Sequence, residues 1–122
     1  MALTISPLAP ASFAHLPAIK GVRLAAAATG IRYKNRPDVL LAVMDEGTTV
    51  AGCLTLSKSR SAPVDWCADN LKIGKGRVLV CNAGNANAFT GKAGVATVKA
   101  VATAAAKQFK CKWAKCFRLQ LA

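Results

Sequence analysis

Residues Gly91 to Lys110 restrict the fold more than any other stretch of the sequence. At about 100° per residue, Val95, Val98, Val101, Ala102, Ala105 and Phe109 fall in one broad apolar sector, and Lys92, Lys99, Lys107 and Lys110 fall in a narrow sector beside it. Alanine-rich sequence with that stripe predicts a helix over 91–110 that lays its apolar side on a sheet. Strand sequences to build the sheet are present. Val22–Ala28 is apolar and ends at the turn signal Thr29-Gly30, Val39–Met44 is a continuous apolar run, and Arg77–Cys81 is short and apolar. A run that is apolar at successive positions predicts a strand covered on both faces. Thr48–Thr55, rich in β-branched residues, follows Val39–Met44 after Asp45-Glu46-Gly47 and reads as the second arm of a β-hairpin.

The remainder is connection. Pro7, Pro10 and Pro17 forbid a helix in residues 1–20, although Leu3, Leu8, Phe13 and Leu16 are placed to pin that lead to a surface. Ser57–Gly76 reads mostly as connection, with Asp65 or Asp69 as the cap of a short helix running through Leu71, and Gly74 and Gly76 flanking Lys75 in a turn. With 122 residues there is room for one domain. The predicted class is α/β, with mixed strands and one long covering helix. Apolar residues at 53% exclude a disordered basic tail, and no run approaches the roughly 20 apolar residues of a membrane span.

Charge is unevenly placed. Residues 1–70 hold seven basic and five acidic side chains, whereas 71–122 hold ten basic and none acidic. Such a segment points to a polyanion partner or to an abnormal C-terminal end. The lysines between Lys92 and Arg118 are the candidate phosphate contacts, weighed against an ordinary solvated helix face. Few aromatics interleave with them, so nucleic-acid binding is not favoured. The five cysteines, Cys53, Cys67, Cys81, Cys111 and Cys116, contain no C-x-x-C pair, and His15 stands far from all of them. No metal site is expected from that spacing. Cys53 and Cys81 lie in apolar runs and read as small core residues. Without a secretion signal the cysteines imply a reducing, cytoplasmic compartment.

Catalytic constellations are weak. Asp45-Glu46 sits at a turn, where acidic residues serve solubility, and a general acid–base pair needs burial and a facing partner. Gly74-Lys75-Gly76 and Gly91-Lys92-Ala93-Gly94 match neither phosphate-loop pattern. The most unusual local sequence is Asn82-Ala83-Gly84-Asn85-Ala86-Asn87-Ala88, between a strand and a helix. Its amides suit either orienting a ligand or holding the loop itself, and Asn tolerates positive φ.

Several motifs occur in a fixed order: Ser6-Pro7-Leu8-Ala9-Pro10, Gly21–Ala25, Asp45–Gly52, Ala62–Cys67 and Asn82–Gly91. From about Ile5 to Cys111 the chain resembles the N-terminal part of the first subunit of the bifunctional ornithine acetyltransferase / N-acetylglutamate synthase family. The resemblance implies an α/β sandwich related to the N-terminal-nucleophile architecture. It implies acetyl transfer from N-acetylornithine to glutamate in arginine biosynthesis, with acetyl-coenzyme A a further donor in some members and no bound cofactor. It also implies a second subunit, produced when the longer chain cuts itself before a threonine that becomes the nucleophile, and assembly with homologous chains. The Asn82, Gly84, Asn85 and Asn87 positions match the family loop, with no chemical role assigned to them.

Beyond Cys111 the pattern departs. The family places an A-S-T-G-type segment just after the long helix, whose Thr-Gly forms the oxyanion hole. Residues 112–122 read Lys-Trp-Ala-Lys-Cys-Phe-Arg-Leu-Gln-Leu-Ala and hold no Thr-Gly pair. No family catalytic residue matches a position of this chain, so the expectation is a truncated, inactive piece. One alternative is a truncated partner that assembles with a separately encoded remainder, and another is a small basic polyanion-binding module. Codons compatible with Lys115–Ala122, read one base out of frame, spell V-F-S-A-S-T-G. Residues 112–122 are therefore expected to be a frame-shifted tail and the least well packed part of the fold, with strand edges elsewhere left exposed as an aggregation hazard.

Overall fold

The computed structural model describes residues 6–32, 34–84 and 86–121. Four strands form one sheet in sequence order: β1 (Val22–Ala27), β2 (Val39–Met44), β3 (Val78–Ala83) and β4 (Cys116–Leu121). β1–β2 and β2–β3 pair antiparallel, and β3–β4 pair parallel with Val78 opposite Cys116 and Ala83 opposite Leu121. Two helices, α1 (Ala62–Leu71) and α2 (Gly91–Gln108), complete the α/β architecture. A parallel pair needs a crossover, and α2 is that crossover.

The core lies where α2 meets β3 and β4. Val78, Ala102, Ala105 and Cys116 are its buried centre, with Leu41, Trp66, Val80 and Phe109 packed around them. The helical stripe is shifted from the one predicted. Gly94, Val98, Ala102 and Ala105 are buried, while Val95 is 56% exposed. The cause is at Gly94, whose backbone presses on the Thr90 and Asn87 side chains so closely that a Cβ would collide with the Thr90 hydroxyl. That seating turns Val95 outward. The four predicted surface lysines are all exposed.

Thr48–Thr55 is not the arm of a hairpin. β2 already pairs with β1 on one edge and β3 on the other, so no edge is left for it. Its one ladder contact is a bridge from Thr49 to Lys75. Cys53 is consequently exposed and Cys81 only half-buried, contrary to the core placement their apolar neighbours suggest. β2 is not fully covered on both faces, since Leu40 remains exposed. α1 begins before either aspartate predicted to cap it. Ser61 is its N-cap residue, without a side-chain cap bond, and a proline occupies its first turn, where the missing N–H costs nothing. In the lead, Leu8, Phe13 and Leu16 are exposed rather than pinned.

The tail is a correction of a different kind. Cys116, Phe117 and Arg118 are among the best-buried residues, so 112–121 is not the loosest part of the fold. The β3 edge offers a row of backbone donors and acceptors, and pairing with it does not depend on side-chain identity. A short 3-10 turn (Trp113–Lys115) leads into β4. β4's outer edge is covered by α1: Trp66 Nε1 and Asn70 Nδ2 both donate to the Cys116 carbonyl, at 2.9 and 3.1 Å, and Cys67 Sγ donates to the Arg118 carbonyl at 3.1 Å. The Trp66 and Trp113 rings lie beside one another with centroids 5.2 Å apart.

Candidate functional site

The Asn-rich loop leaves the end of β3 and opens α2, beside the end of β4. Asn82 and Asn87 are buried. Asn82 Oδ1 accepts from Arg118 Nη2 at 3.0 Å, and the Asn87 backbone N–H donates to Gln120 Oε1 at 3.0 Å. The Asn87 carbonyl accepts from the Ala62 N–H, which ties the loop to the start of α1. Gly84 adopts φ +93°, and its carbonyl accepts from Arg32 Nη1 at 3.5 Å. Positive φ in the loop's described residues falls on Gly84 and Phe89, not on Asn82 or Asn87. Asn85 lies outside the described residues. The structure thus brings Asn82, Gly84 and Asn87 together at the ends of two parallel strands. It uses polar groups of the loop to hold β4 and α1 in place.

A cleft of about 450 Å³ opens at the start of α2, lined by Arg60, Asp65, Asn87, Thr90 and Lys92 among others. Arg60 Nε and Asp65 Oδ1 form an ion pair at 2.9 Å inside it. The Asn87 amide nitrogen is buried without a partner, as are Arg118 Nε and Nη1 and the Gln120 amide nitrogen. Burial pulls the Arg118 guanidinium below its ordinary pKa, the expected response of a cation removed from water with one bond to replace its hydration. Arg118 is the residue that sequence reasoning missed here. It is separated from the loop by the whole of α2, and only strand pairing shows them to be neighbours.

Other candidates separate from this place. Asp45 and Glu46 are exposed at a turn, His15 is exposed in the lead, and no group of three metal-ligating side chains forms among the described residues. Asp38, which the sequence marks only as part of the Arg36-Pro37-Asp38 turn signal, is the one buried carboxylate. It accepts from the Thr29 N–H at 2.6 Å, the Thr29 hydroxyl at 2.8 Å and the Ile31 N–H at 2.8 Å. The Thr29 backbone bond foremost holds its carboxyl below the ordinary 3.8, so its role is to fasten the β1–β2 connection. The basic excess converges on a second cleft of about 450 Å³, where Lys75, Arg77, Lys110, Lys112 and Lys115 face one carboxylate, Glu46. Among the described residues, no helix is long and apolar enough to cross a membrane.

Residues 23–119 match the ArgJ family. The chain belongs to that family. It is 57% identical over 117 residues to the arginine biosynthesis bifunctional protein ArgJ of Bradyrhizobium diazoefficiens, covering 96% of this chain and 28% of that protein. It is 59% identical over 116 residues to the ArgJ protein of Nitrobacter winogradskyi, covering 92% and 28%. The fold is that of the solved ArgJ enzymes, an α/β sandwich of N-terminal-nucleophile type. The crystal structure of ornithine acetyltransferase complexed with ornithine from Mycobacterium tuberculosis superposes with a TM-score of 0.74 at 30% identity, covering 84% of this chain and 56% of that one. The bifunctional ArgJ protein of Bacillus halodurans gives 0.74 at 27% identity, covering 84% and 55%. The chain spans 28% of the length of these curated relatives. The ArgJ match runs to residue 119.

Proposed function

We propose that this chain is the N-terminal part of an ArgJ-type acetyltransferase of arginine biosynthesis, moving acetyl from N-acetylornithine to glutamate, and that by itself it transfers none. The observation that carries the reading is identity near 57% along almost the whole chain to bifunctional ArgJ proteins. Acetyl-coenzyme A is a second donor in this reading, and no resident cofactor is required. The complete enzyme is read as cytoplasmic, with a second subunit and homologous chains as its partners.

The inactivity follows from chemistry. Acetyl transfer of this kind needs an activated nucleophile and donors for the developing oxyanion, and the loss of either costs roughly 10²-fold or more. The Asn82–Ala88 loop holds no hydroxyl or thiol to serve as that nucleophile. In this reading its work is to position the strand end where the family carries its Thr-Gly pair. The purified chain, incubated with N-acetylornithine and glutamate, is expected to release no ornithine above a buffer blank. A chain extended through the family's downstream half is expected to release it. Turnover by the 122 residues alone overturns the inactivity, and an inactive extended chain overturns the assignment.

The tail is read as an out-of-frame translation of the oxyanion segment, with residue 112 as its start. Support comes from Arg118, a buried cation with two nitrogens unpartnered where β4 faces Val80. An apolar residue suits that place better, because an unpaired buried charge is costly. Sequencing the gene tests this: a shifted frame without A-S-T-G removes the proposal.

The second cleft favours one further reading, a small polyanion-binding module, because five cations there meet a single carboxylate. Binding of a polyphosphate that weakens steeply between low and high salt supports it. Binding insensitive to salt, or none, removes it.

A further inference from the structure

Cys111 and Cys116 meet across the turn that joins α2 to β4. Their sulfurs stand 3.7 Å apart. A disulfide bond is about 2.05 Å long, so closure asks for about 1.7 Å of travel, and Cys111, outside any helix or strand, is the partner placed to supply it. The two thiols differ in access. Cys116 is 1% exposed, with its sulfur directed at the Lys112 carbonyl 3.9 Å away. Cys111 is half-buried and lines the basic cleft beside Lys110, Lys112 and Lys115. Burial first, and then the neighbouring Cys111, push the Cys116 thiol up to about 12. A reagent arriving from solvent therefore meets Cys111 first, and the lysines around it attract anionic reagents. Among the described residues no other two sulfurs are in contact.

We propose that Cys111 and Cys116 form a modification site, a dithiol that exchanges with small anionic disulfides such as glutathione disulfide and closes into an intramolecular disulfide. The Cys111 thiolate attacks one sulfur of the reagent. A Cys111–glutathione bond forms and one glutathione leaves as thiolate. Cys116 then gives its proton to solvent and attacks the Cys111 sulfur, releasing the second glutathione. Two protein thiols are oxidised by two electrons and the reagent disulfide is reduced to two thiols. The product ties the connection just after α2 to the start of β4. This inference does not depend on the acetyl-transfer reading.

The test treats the full 122-residue chain with glutathione disulfide, blocks remaining thiols by alkylation and maps tryptic peptides. The expected product links the peptide Cys111-Lys112 to Cys116-Phe117-Arg118, leaving Cys53, Cys67 and Cys81 alkylated. Cys116→Ala is expected to stop at a retained glutathione adduct on Cys111. Cationic cystamine is expected to react at least several-fold more slowly than glutathione disulfide in low salt, with the gap closing in high salt. Alkylation of both Cys111 and Cys116 after oxidation overturns the site, as does preferred cross-linking through Cys53. Equal rates for the two reagents overturn the anionic selectivity. The wild-type map is decisive even if Cys116→Ala fails to fold.

Discussion

The two edges of the sheet are protected unequally. At β4 the outward carbonyls of Cys116 and Arg118 receive three side-chain donors from α1, and the strand's first three residues are buried. At β1, five of six residues are exposed, and Leu24 keeps 70% of its surface in water. Both strands are six residues long, so length does not explain the contrast. What differs is a helix with Trp, Cys and Asn on consecutive or near-consecutive positions, able to imitate the next strand's donors. The hazard of an open edge is thereby confined to one side of the molecule.

Breaking the guarded side has the largest expected effect. Val98 is 1% exposed, and Val98→Asp puts an unpaired charge in that apolar contact, a loss of about 3–5 kcal/mol. A denaturant melt checks this, and unchanged stability contradicts the assignment of that face. Next is Asn70→Ala, which takes away one of the two donors on the Cys116 carbonyl from a residue 2% exposed. The expected cost is about 1–2 kcal/mol, with hydrogen exchange accelerating in β4 before β1.

The open side answers to smaller changes. The folded Asp38 carboxyl is held below 3.8, so its contribution is complete above that pH and is lost as the pH falls beneath it. Asp38→Asn is expected to flatten this acid limb of the stability curve, read by melts from pH 5 to pH 2 as a smaller slope than wild type. Leu24→Lys is expected to leave stability within about 0.5 kcal/mol while slowing aggregation, measured by light scattering at rising concentration. If aggregation is unchanged, β1 is not the exposed liability that its burial pattern indicates.

What the sequence made legible follows a physical division. β1, β2, β3 and α2 were readable because each carries its own period or apolar run. β4 was not, because Cys-Phe-Arg-Leu-Gln-Leu has a charge in its middle, and pairing with the β3 edge fixes it from outside. Thr48–Thr55 has the composition of a strand, but both edges of β2, its expected hairpin partner, are taken. Of the candidate loop, Asn82, Gly84 and Asn87 stood out as unusual, but their partners Arg118 and Gln120 arrive through the crossover and leave no local signal. Val95 failed for a local reason, the seat that Gly94 takes on Thr90 and Asn87.

Trp66 and Trp113 are the two tryptophans of the chain, and they adjoin one another where α1, the 3-10 turn and β4 converge. The tryptophan fluorescence of the protein therefore originates from one place. Departure of α1 from the sheet exposes the Trp66 indole and ends its bond to the Cys116 carbonyl, shifting emission to the red, whereas fraying of β1 leaves the spectrum as it was. The molecule carries its own optical gauge of the covered edge, readable in a cuvette without any added label.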